Sequence, residues 1–164
     1  MFPKWIDPFR IDIIQKEDQK WDAIMAPGVY IIMRPKFVQR VSDVDRNGIL
    51  YIGQAYNLAD RLDKFQYAGH KPTYFMLRNL KIASGILQDQ VRNENHLYRA
   101  LGKLKAKICY PIRKSALDEA ERAVLFAYLE KFGELPPLNA NLPASQKGKP
   151  RREDLRWARK GIKG

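Results

Sequence analysis

The 164-residue chain is short of cysteine, of acid and of long apolar runs, and each shortage narrows what it can be. Cys109 stands alone, so neither an internal disulfide nor a cysteine-based zinc site can form. No apolar stretch approaches the length that spans a bilayer, and the first residues, MFPKWIDPFRIDII, carry charges throughout. No signal peptide and no membrane partner are expected, and a cytoplasmic location fits best. Internal repeats and low-complexity blocks are missing too. Acids number 18 against 30 lysines and arginines, a formal charge of +12. Such an excess favours a polyanionic partner, usually nucleic acid, because bound phosphates release their counterions. A merely soluble basic protein is the bland alternative. The 45% hydrophobic content suits a folded chain, and the length fits one domain with a proper core.

What is present says most at Leu117 to Phe132, LDEAERAVLFAYLEKF. At helical spacing Leu117, Val124, Leu125, Tyr128, Leu129 and Phe132 form one apolar face, which predicts a helix. Glu121 falls in the middle of that face, whereas Asp118, Glu119 and Glu130 lie at its edge or off it. A lone carboxylate among leucines is costly to desolvate and needs a partner. Either Glu121 pairs with a buried arginine, or the stripe is wider than its core, or the carboxylate belongs to a site. Ser115, three residues ahead of Asp118, offers a capping box, and Gly133 with Pro136-Pro137 ends the helix.

Elsewhere, Pro3 and Pro8 keep the first residues extended. Trp5, Phe9, Ile13, Ile14, Trp21, Ile24 and Met25 suggest an arm leading into a short helix over residues 1–26. Gly28 to Met33 (GVYIIM) and Ile49 to Ile52 (ILYI) predict a hairpin, the second run opening after the turn dipeptide Asn47-Gly48. Asp43, Asp45, Asn47 and Gly48 imitate the start of a calcium loop. Its twelfth position is Gln54, which cannot supply the bidentate carboxylate, so residues 36–48 read as a turn-bearing connection. Asn57 to Gln66 predicts a helix capped by Asn57, burying Leu58, Leu62 and Phe65, with Arg61 at the stripe's edge. Residues 84–105 predict a long helix and Lys105 to Ile112 a third strand. From Ser145 onward eight basic residues face two acidic ones. Lys147, Lys149, Arg151, Arg152 and Arg156 lead to Trp157, with Arg159 and Lys160 behind it. Such a run is either a solvated tail or a grip on phosphates with an aromatic to stack on bases.

Gly28-Val29-Tyr30 and Tyr51-Ile52-Gly53, the latter opening the run YIGQAYNLADRL, resemble the GIY-YIG nucleases. That family's pattern reads Y-I-G-x-A-x-x-L-x-x-R-L, which reaches its arginine at Arg61. The family's later helix carries one glutamate and is followed by a turn ending in Leu-Asn, matched here by Glu121 and Leu138-Asn139. The resemblance covers residues 27–141 and implies an α/β (α+β) domain, a small, mostly antiparallel three-stranded sheet flanked by helices. Residues 84–105 would be an insertion before the third strand, and residues 142–164 a basic tail outside the domain. The link between the two tyrosines is 20 residues, longer than the family's usual turn. Phe65 stands where many members carry a histidine, with His70 the nearest substitute. Met33 stands where some carry a lysine, with Arg34 adjacent.

The resemblance implies a metal-dependent DNA endonuclease. A single divalent ion, Mg²⁺ or Mn²⁺, would be held by Glu121 with most of its water shell kept, and no small-molecule cofactor is implied. Arg61 would hold the scissile phosphate. Tyr30 would serve as general base if its neighbours lower its ordinary pKa, and Tyr51 would orient the water or the phosphate. Asn139 would brace the site and His70 would carry protons. DNA contacts are expected from Arg34 and the basic tail. With no separate recognition domain in view, a compact restriction-like, phage or mobile-element enzyme fits best. The rivals are a non-catalytic DNA-binding module with the same fold and an RNA-cleaving or toxin-type nuclease. Cutting both strands from one site would need a homodimer or two visits.

Overall fold

A computed structural model describes residues 3–10, 24–66, 104–139, 142 and 148–163. In chain order the strands are β1 (Trp5–Arg10), β2 (Gly28–Met33), β3 (Val38–Gln39), β4 (Val44–Asp45), β5 (Ile49–Ala55) and β6 (Lys105–Cys109). The helices among these residues are α1 (Leu58–Gln66), α2 (Leu117–Phe132) and α3 (Arg152–Ile162). Every residue of β2 is apolar because both of its faces are covered and both of its edges are paired. It runs antiparallel to β5 on one side, with Tyr30 opposite Gly53 and Ile32 opposite Tyr51, and to β6 on the other.

The sheet has four strands, in the order β1-β6-β2-β5, and not the three expected. The arm that Pro3 and Pro8 keep extended lies along β6, pairing Trp5 with Cys109 and Phe9 with Ala106. Left bare, β6 would present a row of unpaired backbone groups. The ladder slips between Ile6 and Phe9, around Pro8, which has no N–H to give. Asp7 and Pro8 are why the segment carries no strand signal in the sequence.

One sheet face buries Tyr30, Ile32 and Ile108 under Leu58 and Leu62 of α1, with Leu104 and Leu138. Asn57 caps that helix as expected, its Oδ1 accepting from Asp60 N at 3.2 Å. The other face buries Val29, Ile31 and Ile52 beneath Leu117, Val124, Leu125 and Tyr128 of α2 and beneath Ala158 and Ile162 of α3. The capping box expected from Ser115 is not formed. Ser115 lies inside a 3-10 turn, Lys114–Ala116, and the residue at the helix cap is Ala116, without a side-chain bond.

The 36–48 connection folds back as the small β3–β4 ladder and behaves as a turn. Asp45 is fully buried in it, its carboxylate accepting from Asn47 N (3.0 Å), Ile49 N (2.9 Å) and the Tyr128 hydroxyl (2.9 Å). With its oxygens so engaged, Asp45 is a structural acid.

Within the basic tail, residues 152–162 are a packed helix. Leu155, Ala158 and Ile162 recur at helical spacing and are buried, while most of the charged residues face outward. Trp157 stacks on Trp5 with ring centroids 5.0 Å apart and donates its indole N–H to Pro3 O at 2.8 Å. A side chain at Gly161 would overlap the Trp5 indole, so the close approach needs glycine. Lys107 reaches from β6 to donate to Lys160 O (3.2 Å) and Lys163 O (2.8 Å), a cation at the helix's negative end. Of the long helix expected at 84–105, only Leu104 and Lys105 are among the described residues, and Lys105 opens β6. The rest of that helix, and the short helix expected before residue 24, lie outside the described residues.

Candidate functional site

Four polar side chains from four segments converge beside β5, the strand at the sheet's edge. Tyr30 and Tyr51 stand on one face of the β2–β5 hairpin, their rings 5.9 Å apart and their hydroxyls hydrogen-bonded to each other. Gly53 makes this possible. A Cβ there would come within 2.6 Å of the Tyr30 oxygen and 2.7 Å of the Tyr51 ring. From α1, exposed Arg61 lowers the pKa of Tyr30, Tyr51 and Glu121 alike, which puts its guanidinium electrostatically in touch with all three.

Glu121 comes from α2 and is half-buried. Burial pushes its carboxyl up to about 7; a hydrogen bond from Gln54 and the charge of Arg61 oppose that, and Asp118 reinforces it. No arginine or lysine among the described residues lies within ion-pairing distance of Glu121. The buried-arginine explanation of this acid is therefore not met among them. Asp118, one turn ahead, is held by the Gln54 side-chain amide.

Tyr30 does not have the lowered pKa a base would want. Burial raises it, as do Tyr51, Glu121 and the hydrogen bond to Tyr51, and Arg61 only partly offsets them. Tyr51 is raised too, by burial and by Glu121, but the bond from Tyr30 works the other way there. Both hydroxyls keep their protons, with Tyr30 donating to Tyr51.

Asn139 spends its side-chain amide on the backbone of β5. Its amide accepts from Ile52 N at 2.9 Å and donates to Ile52 O at 2.8 Å, doing for the free edge of β5 what another strand would do. Leu138 N adds a bond to Leu50 O at 2.9 Å. Together they fix the strand that carries Tyr51, Gly53 and Gln54. His70 and Lys147 lie outside the described residues.

The expected nucleic-acid contacts divide. Arg34 turns back on the connection, donating to the carbonyls of Lys36 (3.0 Å) and Phe37. Arg151 binds Asp154 at 2.8 Å, and Lys149 and Arg159 share Glu130 at 2.7 and 3.0 Å. Trp157 gives a ring face and its N–H to the protein itself. Arg152, Arg156 and Lys160 remain exposed, one helical turn apart in a single row, without an ion pair among the described residues.

Among the described residues no three histidines, cysteines or acids cluster as a metal cage. Glu121 with Asp118 nearby suits a cation that takes one or two protein oxygens and keeps its water, as Mg²⁺ does, and not one needing a full protein ligand set. Gln54 is the member that sequence reasoning missed. Its only signal was its place two residues beyond Ile52, on the face of β5 turned toward the Glu121 helix. No protein-family model, curated protein or solved structure matches the chain.

Proposed function

We propose that the protein is a metal-dependent DNA endonuclease of the GIY-YIG type. The observation that carries this reading is a half-buried carboxyl, Glu121, with no ion pair among the described residues, met by Tyr30, Tyr51 and Arg61 from three other segments. A site is the arrangement that gives such an uncompensated acid a purpose.

Glu121 would hold the divalent ion, which when bound supplies charge relief at the phosphorus and an acidified water. Arg61, exposed on α1, binds a phosphate oxygen and opposes the charge that develops there. Tyr30 keeps its proton and points it at the Tyr51 oxygen. This bond orients Tyr51 and partly offsets the rise in its pKa, so of the two tyrosines Tyr51 is the better placed to give up its proton once Arg61 and a bound cation add their charge. Gln54 ties Asp118 and Glu121 to β5 and keeps the acid pair facing the tyrosines. Asn139 positions β5 without meeting substrate. Arg152, Arg156 and Lys160 supply phosphate contacts away from the reacting centre.

The test is cleavage of plasmid, linear, branched and RNA substrates with and without Mg²⁺ or Mn²⁺, wild type beside Glu121→Gln, with binding followed in parallel. Metal-dependent cutting that the variant loses while still binding is the expected result. Binding without cutting by wild type on every substrate would make the protein a non-catalytic DNA module instead.

A further inference from the structure

We infer that Tyr56 and Lys114 form a nucleotide subsite beside Glu121, where the Tyr56 ring stacks on an unpaired base and Lys114 takes the adjoining phosphate. The inference rests on the nuclease reading and extends it to the substrate: a strand with a flipped or unpaired nucleotide close to the cleaved bond.

The tyrosines of the described residues are unequal. Tyr30 and Tyr128 are buried and Tyr51 and Tyr110 half-buried, whereas Tyr56 is 67% exposed. A single exposed aromatic is ordinary by itself. Two further facts set this one apart. The Lys114 ammonium lies over the ring, 5.4 Å from its centroid, so a π face and a cation are presented together. The pair also stands where the two halves of the site join. Tyr56 is two residues past Gln54 and one before the cap of α1, which carries Arg61. Lys114 opens the 3-10 turn that leads into α2, four residues before Asp118. The bond from Gln54 to Asp118 ties these segments to each other.

Two residues of extended chain reach about 7 Å. The ring therefore lies within about that reach of Gln54, which bonds Asp118 one turn before Glu121. Lys114 and its neighbour Arg113 are exposed and have no ion pair among the described residues. A flat ring with a cation at its face suits a base and its phosphate, the pairing by which single strands are gripped without regard to sequence. A base inside a duplex shows only its edge, since its faces are covered by its neighbours. Stacking on Tyr56 therefore requires a base already out of the stack, at a flap, a branch or a single strand. Trp157, by contrast, already lays one face of its ring on Trp5.

The experiment uses the full chain carrying Glu121→Gln, so that binding is read without cutting. The probes are a duplex with a single-stranded flap, bearing 2-aminopurine at the first unpaired position, and a fully paired duplex of the same sequence. With Tyr56 present the fluorescence is quenched on binding. Tyr56→Phe keeps the quench. Tyr56→Ala abolishes it and weakens flap binding roughly five- to a hundredfold, the range of base–aromatic stacking, while leaving duplex affinity within about twofold. Equal losses on flap and duplex, or none on either, overturn the subsite. Cleavage by the Glu121-intact chain, assayed beside this, separates the two readings. If it cuts and Tyr56→Ala changes nothing, only the subsite falls. If it neither binds nor cuts any of these substrates, both fall.

Discussion

Glu121 and Glu130 lie nine residues apart on one helix and have opposite fates. Glu130 is held by Lys149 and Arg159, whose hydrogen bonds keep its carboxyl below the usual range. Glu121 is drawn toward the sheet edge, loses water without forming an ion pair among the described residues, and is pushed up to about 7 although the charge of Arg61 partly opposes this. Around Glu130 the molecule settles its charges internally, as it also does at Asp154 with Arg151. Around Glu121 it leaves them open. The first arrangement serves the fold, whereas the second costs stability and makes sense if something arrives to complete it.

Breaking the open side should have the largest effect. Glu121→Gln and Arg61→Ala should each lower cleavage by about a hundredfold or more, with binding largely kept for the glutamine variant. Single-turnover rates would check this; cutting that survives Glu121→Gln would remove that acid from the reaction. On the closed side, Trp157→Ala should cost about 2–3 kcal/mol in urea unfolding, somewhat under the range for a fully buried tryptophan. A loss confined to DNA affinity would instead favour Trp157 as a base stacker.

The two regions should also differ with pH. The folded pKa of Glu121, about 7, lies above its ordinary 4.5. Between these values the folded chain keeps a proton that the unfolded chain has released, so this residue's contribution to stability falls as pH rises through the window and stays low above it. Thermal melts without metal should show Glu121→Gln gaining on wild type from pH 4.5 to 7, and the gain should shrink when Mg²⁺ is added. A constant difference across the window would mean the carboxyl is well solvated. Smaller still, replacing Arg152, Arg156 and Lys160 together by alanine should flatten the salt dependence of DNA binding by up to about 3 in slope, at about 0.9 per phosphate. Glu130→Gln should change stability by less than about 1 kcal/mol, as exposed ion pairs do.

Much of the open side is legible in the sequence, because its residues are tied to local spacing. The two β-former runs predict the hairpin, and Leu58 with Leu62 the helix that carries Arg61. An acid on the apolar stripe of Leu117 to Phe132 marks Glu121. Gln54 escapes that reading, since its partner Asp118 is brought to it only by packing of a distant helix. Burial of Tyr30 escapes it as well, because the pattern of a strand does not tell how deeply a hydroxyl sits. The closed side is less legible. Asp7 and Pro8 hide a strand whose pairing is supplied by β6, and eight cations obscure the spacing of Leu155, Ala158 and Ile162.

The stack of Trp157 on Trp5 joins segments some 150 residues apart, with the indole N–H on Pro3 O and Gly161 beneath Trp5. β1 pairs with β6 and α3 packs on α2, and the stacked indoles are the seam through which opening either one disturbs the other. The two should unfold as one cooperative unit, with amide exchange in both reporting a single free energy of opening. Cutting away residues 145–164 would then release a strand from the far edge of the sheet, and a loss of DNA binding after that deletion would report on this coupling before it reported on phosphate contacts.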